Sequence, residues 1–509
     1  MNTIRDLSIL IFGLSKREKT EFEQYANRQG SDQKYMQVYR VLDKMILTAK
    51  SADLIPDEEA LAKRVRLELK DGNTAAYSTY LFKMILRSLR SNNDSDKKED
   101  DILQNINNAK ILVRRGLFES AIDSLETALA DANLYEYHGL AVQALRDLVY
   151  LEGQKDSKSY ADNIKDRLEK IIQLSTRQAL ESNYFSMHHR AFLLSRSRRP
   201  VTHGEAEQEF AALRSHPMLS ETSAGPTFFS QVYYWQAKAS IANIEGKVEE
   251  ALLCSKEIVL LWQSKKYEHL QEEHPRRYII YLHNFVSFAI GCKHFEEAEE
   301  FLNTMELFPC TNFDDAAEKF QNVLMSRQLL LLNTDRYREA ITAVSEKLKE
   351  IEGRYRDKIN TARLIALYYN TLAACFVLKE YEAAQDWSDR IYKIGRTEQR
   401  RDIQFINKVF QIIIRFELGR LHLLDNEIKN TTQNLRDHGQ LDQTNSVILH
   451  WLAKLIKNSL DNRDTKGVET EKAIFTGFRE ALLAEKETNA NRQVIGLEEV
   501  LMWVEGKVI

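Results

Sequence analysis

The sequence predicts an all-α protein: a small N-terminal helical module over residues 1–100, an array of helical hairpins over residues 101–460, and capping helices over residues 461–509. Three observations support this fold. Only 6 Pro and 18 Gly occur in 509 residues, too few for an architecture of strands and turns. Apolar residues recur at helical spacing along most of the chain. One pattern of bulky and small residues also repeats several times after residue 102.

Length and composition favour a folded protein with several domains or a repeat array. Hydrophobic residues make up 43% of the chain and charged residues 29%, which argues against long disordered segments. A formal net charge of −4 gives no general electrostatic reason to expect nucleic acid or an anionic membrane as partner. We interpret the four scattered cysteines as single thiols in a reducing compartment: Cys254, Cys292, Cys310 and Cys375.

The N-terminal segment MNTIRDLSILIFGLSKREK contains one apolar run, from Leu7 to Leu14. No Lys/Arg-rich stretch precedes the run and no small-residue cleavage site follows it, so we expect no signal peptide. The chain has no run approaching the roughly 20 apolar residues of a membrane span. We therefore expect a cytoplasmic protein without a membrane partner. After the run, Ser15 and Glu18 have the spacing of a capping box and predict a helix start.

Residues 1–90 contain four stretches with helical periodicity. The first follows Ser15, and the others are YMQVYRVLDKMIL, DEEALAKRVRLEL and AAYSTYLFKMILRSLR. The polar segment 91–101 predicts a solvated connector or a charged helix start. Three cations at near-helical spacing lie on the fourth stretch: Lys83, Arg87 and Arg90. A helix-turn-helix DNA-binding module is therefore one alternative, and a dimerisation or docking bundle is the other.

A recurring pattern extends from about residue 102 to residue 430. Clear copies are RRGLFESAIDSLETAL, IEGKVEEALLCSKEIV, CKHFEEAEEFLNTM, TDRYREAITAVSEKL and LKEYEAAQDWSDRI. Each copy has a turn, then a bulky and usually aromatic residue, then an Ala three residues later. The predicted anchors are Phe118, Ala121, Ala128, Ala251, Phe295, Ala298, Tyr337, Ala340, Tyr381 and Ala384.

The pattern predicts two helices folded back on each other around a tight turn. The aromatic residue would fill the corner beside the turn, and the Ala would allow close approach of the two backbones. The last four Ala anchors are separated by 47, 42 and 44 residues. Periods in this range are typical of stacked helical hairpins.

These residues resemble the tetratricopeptide repeat (TPR) family, in a divergent bacterial form. The copy from Gly116 to Ala128 matches the later positions of the family pattern, and Trp235 lies where the family prefers Trp in the first helix. The spacing departs from the family's repeat of about 34 residues, which implies longer helices or loops. The resemblance implies a right-handed superhelix of hairpins whose first helices line a concave groove.

Polar residues on the predicted first helices are the candidate groove residues. They are Gln236, Asn243, His283, Asn284, Tyr369 and Asn370. Asn284 and Asn370 each lie 14 residues before the Ala of their repeat. A side-chain amide can pair with both the N–H and the C=O of a peptide, and Asn is costly inside a helix, so its presence needs a reason. The alternative is that these residues only solvate an exposed face or bond between helices.

The sequence contains no phosphate-binding, dinucleotide-binding, nucleophile-elbow or HExxH motif, so we expect no catalytic residue, no cofactor and no metal. The strings HLQEEH (269–274) and MHHR (187–190) do not place two His residues on one helical face as metal ligands require. Two basic clusters, SRSRRP (195–200) and GRTEQRR (395–401), leave a phosphate or acidic-peptide contact open.

We therefore expect a non-enzymatic scaffold or regulatory adaptor that binds a protein or peptide on the concave surface, and we expect neither nucleic acid nor a small molecule as its partner. One alternative is a peptide-sensing regulator whose N-terminal module binds DNA or an effector protein. A second, disfavoured because the first cysteine is Cys254, is a nutrient-binding surface lipoprotein with TPR-like helices. An enzyme would need His283 beside a carboxylate of perturbed pKa. Composition and pattern predict no oligomeric state.

Overall fold

A computed structural model of the chain describes residues 4–27, 34–47, 55–69, 73–92, 97–153, 159–196, 204–220, 225–395, 399–421, 424–437, 443–461, 467–488 and 494–508. The regular elements of these ranges are helices, which confirms the predicted all-α class. The chain divides into two compact units, Met1–Asn107 and Asn108–Ile509. None of the helices described here is long and apolar enough to cross a membrane.

Five helices form most of the first unit: α1 (Ile4–Gly13), α2 (Lys16–Asn27), α3 (Lys34–Ile46), α4 (Glu58–Leu69) and α5 (Thr74–Asn92). Central α3 contacts α1, α4 and α5 and buries Tyr39 and Leu42. The predicted capping box is present at the start of α2. The Glu18 N–H donates to Ser15 Oγ at 3.2 Å, and the Ser15 N–H donates to the Glu18 carboxylate at 2.7 Å.

The cations of the predicted helix-turn-helix lie on α5. Lys83 and Arg87 are exposed, whereas the side chain of Arg90 lies outside the described residues. Residues 70–72, which join α4 to α5, and residues 93–96 of the connector also lie outside them. The DNA-binding alternative therefore stays a prediction.

Helix α6 (Lys98–Arg114) spans the boundary between the two units. The helices that follow are α7 (Phe118–Leu134), α8 (His138–Glu152), α9 (Ser159–Arg196), α10 (Glu205–Arg214), α11 (Pro217–Ser220), α12 (Phe228–Ile244), α13 (Val248–Gln263), α14 (Glu268–Glu273), α15 (Pro275–Gly291), α16 (Phe295–Leu307), α17 (Phe313–Asn333), α18 (Tyr337–Lys349), α19 (Thr361–Val377), α20 (Tyr381–Lys393), α21 (Arg401–Glu417), α22 (Leu424–Asp437), α23 (Gln443–Asp461), α24 (Gly467–Thr488) and α25 (Leu497–Val508). From α12 to α22, most contacts join helices that are adjacent or next but one along the chain.

Seven turns between consecutive helices share one geometry. In each turn one residue has positive φ, and the N–H of the next residue donates to the carbonyl five positions earlier at 2.8 to 3.0 Å. This is the 6→1 bond of a Schellman motif. The residues with positive φ are Gly116, Glu136, Gly246, Lys293, Asp335, Lys379 and Gly419. Only three of them are Gly, so tertiary packing holds four other side chains in a backbone conformation that favours Gly.

The small anchors of the repeat lie at the helix contacts. Six Ala anchors are fully buried: Ala121, Ala128, Ala251, Ala298, Ala340 and Ala384. Among the aromatic anchors, Phe295, Tyr337 and Tyr381 are half-buried, and so is Trp235, whose ring lies edge-on to Tyr234.

Phe118 differs from the other aromatic anchors because 42% of it is exposed, so it does not fill a closed corner as we predicted. Leu117, the residue before it, is also exposed, so this turn does not enclose the ring.

Between Leu134 and Thr227 the sequence pattern predicts two hairpins, EYHGLAVQALRDLVYLEG with YADNIKDRLEKIIQL and SNYFSMHHRAFLLSR with GEAEQEFAALRS, and the structure departs from this prediction. Helix α9 runs without a break for 38 residues and joins two stretches that we expected to be separate helices, YADNIKDRLEKIIQL and SNYFSMHHRAFLLSR. Ser159–Arg196 contains no Gly or Pro, so nothing in its sequence ends the helix. This helix packs against α8 and α12.

Inserted turns lengthen two of the three intervals between the last four Ala anchors, those of 47 and 44 residues. A 3-10 turn (Lys265–Tyr267) and α14 lie between α13 and α15, and a π turn (Glu350–Arg354) lies between α18 and α19. The additional residues are therefore placed at the ends of hairpins, while the tight turns within hairpins keep one length.

The last helix, α25, packs on α24 and also reaches back to α19. Trp503 of α25 is buried, and its Nε1–H donates to Glu417 Oε1 at 2.8 Å. Its ring lies edge-on to Phe475 with centroids 5.4 Å apart. Tertiary contacts thus attach the C-terminal helix to the interior of the second unit.

Candidate functional site

His283 lies on α15 and connects this helix to α17. Its Nδ1 is 2.7 Å from the Oγ of the fully buried Ser326. Burial lowers the pKa of His283 to about 4, and the nearby Arg363 guanidinium acts in the same direction. The ring is therefore neutral at pH 7 and bonds to a hydroxyl group, whereas the catalytic alternative required a carboxylate.

Asn284 and Asn370 hold the same position in their repeats but have different surroundings. Asn284 is exposed on α15. Asn370 on α19 is half-buried, and its Nδ2 donates to Gln328 Oε1 at 3.2 Å. The fully buried Gln328 donates in turn to Leu367 O at 3.1 Å and to Thr371 Oγ1 at 2.9 Å. Asn370 thus belongs to a network that joins α17 to α19, and only Asn284 faces solvent.

Tyr369 is covered by the chain's own C-terminal helix. It is only 6% exposed, and α25 packs against its helix α19. The Tyr369 hydroxyl lies near the Glu499 carboxyl, although no hydrogen bond of ordinary geometry joins it to a described residue. Desolvation is the main cause that raises the pKa of both groups. Tyr369 is therefore not accessible to a partner in this structure.

The two candidates on α12 also differ in exposure. Gln236 is half-buried, and its Oε1 accepts a hydrogen bond from the Tyr281 hydroxyl at 3.4 Å. Asn243 is exposed near the end of the helix. Of the six residues that the sequence singled out, Gln236, His283 and Asn370 bond between helices, and Tyr369 is buried.

Three helices share a set of residues that sequence reasoning largely missed. On α12 and α15 these residues have the same spacing of four and then three positions, and α9 contributes two more. We call the following residues the aromatic face: Phe185, His188, Phe229, Tyr233, Gln236, Arg277, Tyr281 and Asn284. Only Gln236 and Asn284 were candidates before. The repeated spacing was the sequence signal that could have identified the rest.

Ring contacts join the three helices of the aromatic face. Phe185 on α9 lies edge-on to Tyr233 on α12 with centroids 5.2 Å apart. His188 stacks on the same tyrosine at 6.0 Å with an angle of 13° between the rings. From α15, the Arg277 guanidinium lies 4.9 Å from the centroid of Phe229. These contacts make one continuous surface of side chains from three separate helices.

The aromatic face has a buried floor and an exposed rim. Phe229, Tyr233 and Tyr281 are buried, whereas 44% of Phe185 is exposed. Arg277 and Asn284 are exposed as well. An apolar floor with a few polar and charged groups at its edge is the arrangement that binding sites use for affinity and specificity.

Ionisable side chains from the start of α8 and from α9 lie next to the aromatic face. Burial, with a smaller contribution from Glu136, raises the pKa of Glu181 to about 7 against the opposing effects of Arg277 and Thr227. The buried His138 has its Nε2 3.8 Å from Glu181 Oε2, and burial lowers its pKa. Glu136 also accepts a hydrogen bond from the Phe228 N–H at 2.7 Å. The charge of Glu181, beside the aromatic face, therefore changes near neutral pH.

The other sequence candidates lie apart from this surface or only partly within it. His269 Nε2 is 2.9 Å from Leu134 O, and His274 lies edge-on to Phe229. Residues 197–200 of the first basic cluster and residues 396–398 of the second lie outside the described residues. Arg401, from the second cluster, begins α21. Within the part of the chain that the structure describes, no group of three or more His, Cys, Asp or Glu side chains could hold a metal ion.

Comparison with known proteins adds no assignment. No protein-family model matches the chain, and a search of curated proteins finds no similar sequence. We therefore infer the function from the geometry of the second unit.

Proposed function

We propose that the chain is a non-enzymatic, cytoplasmic TPR-like scaffold that binds an extended peptide or protein segment. In this proposal its hairpins form a right-handed superhelix, and the first helices α12, α15, α17 and α19 line the concave side. The binding site is the aromatic face. The observation that supports it most is a buried aromatic floor with Arg277 and Asn284 exposed at its rim.

Three features of the second unit support a TPR-like arrangement. Seven turns repeat one hydrogen-bond pattern, and the Ala anchors are fully buried. Each of α15, α17 and α19 contacts the first helix of the next hairpin. Repeats that contact only their neighbours in this way build extended binding surfaces.

The chemistry of the aromatic face suits a peptide. Aromatic rings bind apolar side chains with large contact area, and the exposed Asn284 amide can pair with both polar groups of a backbone. The exposed Arg277 adds a donor for a carboxylate or a carbonyl. Extended peptides use this combination of backbone pairing and side-chain pockets.

The structure favours the half of the surface nearest α9. At α19 the bond from Asn370 to Gln328 occupies the equivalent amide, and α25 covers Tyr369. A peptide would therefore lie across α9, α12 and α15. We propose that it ends where α17 joins α19.

Peptide display against the full-length chain, followed by fluorescence anisotropy with the selected peptides, tests the proposal. The test variant combines Arg277→Gln with Asn284→Ala. The matched control is Asn303→Ala, which changes an exposed helical asparagine on α16, the second helix of the same hairpin. Circular dichroism melts check that both variants stay folded.

We expect the test variant to bind the selected peptides about tenfold more weakly, which corresponds to about 1.4 kcal/mol shared between the two substituted residues. The control should bind with unchanged affinity. Equal affinity of the test variant and the unmodified chain would contradict the assignment of the aromatic face.

A further inference from the structure

A cleft of about 710 Å³ opens between α20, α21 and α22, on helices that do not form the aromatic face. Three cations lie along its floor at intervals of seven residues on α21: Arg401, Lys408 and Arg415. Amide side chains fill the space between and opposite them: Gln404, Asn407, Gln411, Asn430 and Asn434. The cleft therefore offers positive charge together with both donors and acceptors.

The spacing of the cations limits the size of an anionic ligand. Seven residues of α-helix span about 10 Å, so the three cations extend over roughly 20 Å. A row of cations of this length suits a chain with several negative charges better than a single phosphate or carboxylate.

Asn407 supplies an unused acceptor in this cleft. It is only 3% exposed, and its Nδ2 donates to Ser388 O at 3.2 Å. Its Oδ1 has no hydrogen-bond partner among the described residues. A buried acceptor without a partner costs free energy, and a ligand N–H at this position would satisfy it.

One carboxylate, Glu427, occurs among the described residues that line the cleft, and it forms an ion pair with Arg415. Lys408 Nζ donates to Asn434 Oδ1 at 2.7 Å and lies over the Phe405 ring. Three cations against one carboxylate give the described part of the lining a net positive charge.

We propose that this cleft binds an acidic peptide segment with a polyproline II-like backbone and an acidic residue at every third position. That backbone repeats every three residues with a rise of about 3.1 Å per residue, so such acidic residues share one side at intervals of about 9 Å. This interval matches the cations on α21. Because the backbone makes no internal hydrogen bonds, its N–H groups are available to Asn407.

A helical or nucleic-acid ligand fits the cleft less well. A helix has already used its backbone N–H groups, so it leaves the Asn407 acceptor unsatisfied. A nucleic acid places its phosphates at short regular intervals, which match cations about 10 Å apart less well than acidic residues at every third position of an extended peptide. The acidic peptide satisfies both the acceptor and the charge spacing.

Fluorescence anisotropy with the full-length chain and labelled nonapeptides tests the charge spacing. The first peptide has Glu at every third position, the second has its three Glu residues adjacent, and the third has Gln at every third position. We expect the first peptide to bind several-fold more tightly than the second, with affinity that falls as salt is added, and the third not to bind. Equal binding of the first and third peptides, or tighter binding of a single-stranded oligonucleotide, would overturn the proposal.

Three variants assign the binding to the cleft. Arg401→Gln combined with Lys408→Gln should weaken binding of the first peptide about tenfold. Arg338→Gln combined with Lys349→Gln, which changes two exposed cations on α18, is the matched control and should have no effect. Glu427→Gln frees Arg415 and should strengthen binding about threefold.

A gain of affinity in Glu427→Gln separates ligand binding from a structural role, because damage to the fold would only weaken binding. Unchanged or weaker binding in this variant would contradict the role of Arg415. The Arg277→Gln, Asn284→Ala variant of the aromatic face should bind the acidic peptide normally, so this proposal and the proposed function can fail independently.

Discussion

Asn284 on α15 and Asn370 on α19 lie at the same distance before a buried Ala, yet the first faces solvent and the second bonds to a neighbouring helix. The difference comes from α17. Toward α15 this helix presents Ser326, which bonds to His283 and leaves Asn284 free to face solvent. Toward α19 it presents Gln328, which bonds to Asn370 and Thr371. The position of a residue in its repeat therefore predicts its place on the helix. The side chains of the next helix determine whether the residue is exposed to solvent.

The C-terminal helix adds a second difference between the two hairpins. Helix α25 packs on α19, and Tyr369 is buried there. On the α15 side, Arg277 and Asn284 remain exposed at the rim of the aromatic face. One end of the series of first helices is thus open in this structure, and the other is closed by hydrogen bonds and by a packed helix.

Removal of the Trp503 side chain should have the largest effect on this contrast. Trp503→Ala deletes a buried ring that contacts Phe475 and Glu417, and we expect a loss of about 3–5 kcal/mol in the free energy of unfolding. Amide hydrogen exchange should accelerate in α19 but not in α15. Chemical denaturation and exchange measurements check both outcomes. Met502→Ala, at an exposed neighbouring position, is the control, and an equal loss in both variants would contradict the role of α25.

Lowering the pH should reduce the free energy of unfolding through His283 on α15. Its pKa is about 4 in the folded chain and about 6.5 when unfolded, so folding favours the neutral ring. The free energy of unfolding keeps its full value above about pH 6.5. It falls by about 2–3 kcal/mol as the pH drops toward 4, because the unfolded chain binds the proton more readily than the folded chain. Denaturant titrations across this range should show a smaller pH dependence in His283→Gln. The exposed His294→Gln is the control, and a slope unaffected by His283→Gln would rule out this source of acid sensitivity.

Enlarging the Ala anchor should affect both hairpins alike. Ala298 and Ala384 are fully buried, so replacement of either by Leu forces two backbones apart and should cost about 2 kcal/mol of unfolding free energy. Thermal and denaturant unfolding of Ala298→Leu and Ala384→Leu measure this. Glu300→Leu places the same leucine side chain at an exposed site of α16 and should change stability little. If only one hairpin tolerates Leu, the two copies do not share the packing that their sequences predict.

The two asparagines should respond to Ala with opposite signs. Asn370→Ala removes a donor from Gln328 and should cost about 1 kcal/mol. Asn284→Ala replaces an exposed residue of lower helix propensity and should stabilise the chain by a few tenths of a kcal/mol. Differential scanning calorimetry of the two variants resolves the signs. Stabilisation by both substitutions would show that the network of Gln328 contributes nothing.

Local features account for the successes of the sequence-based predictions. Ser15 and Glu18 form the expected capping box because both groups lie within one helical turn. The misses have physical reasons. Lys293 and Asp335 adopt positive φ, which their residue types do not predict because that conformation favours Gly. The side chains of the aromatic face come from three helices, so no single stretch of sequence shows them together.

The sequence by itself determined the all-α class, the Ala contacts and the turns that contain Gly, because helical periodicity and residue size act within one hairpin. Only the tertiary structure decided which polar residues face solvent. Exposure of a first-helix residue depends on a side chain from the next hairpin, such as Gln328, which is 42 residues from Asn370, or on a helix from the far end of the chain, such as α25. The burial of a residue depends on its neighbours in space, and tertiary packing determines which residues those are.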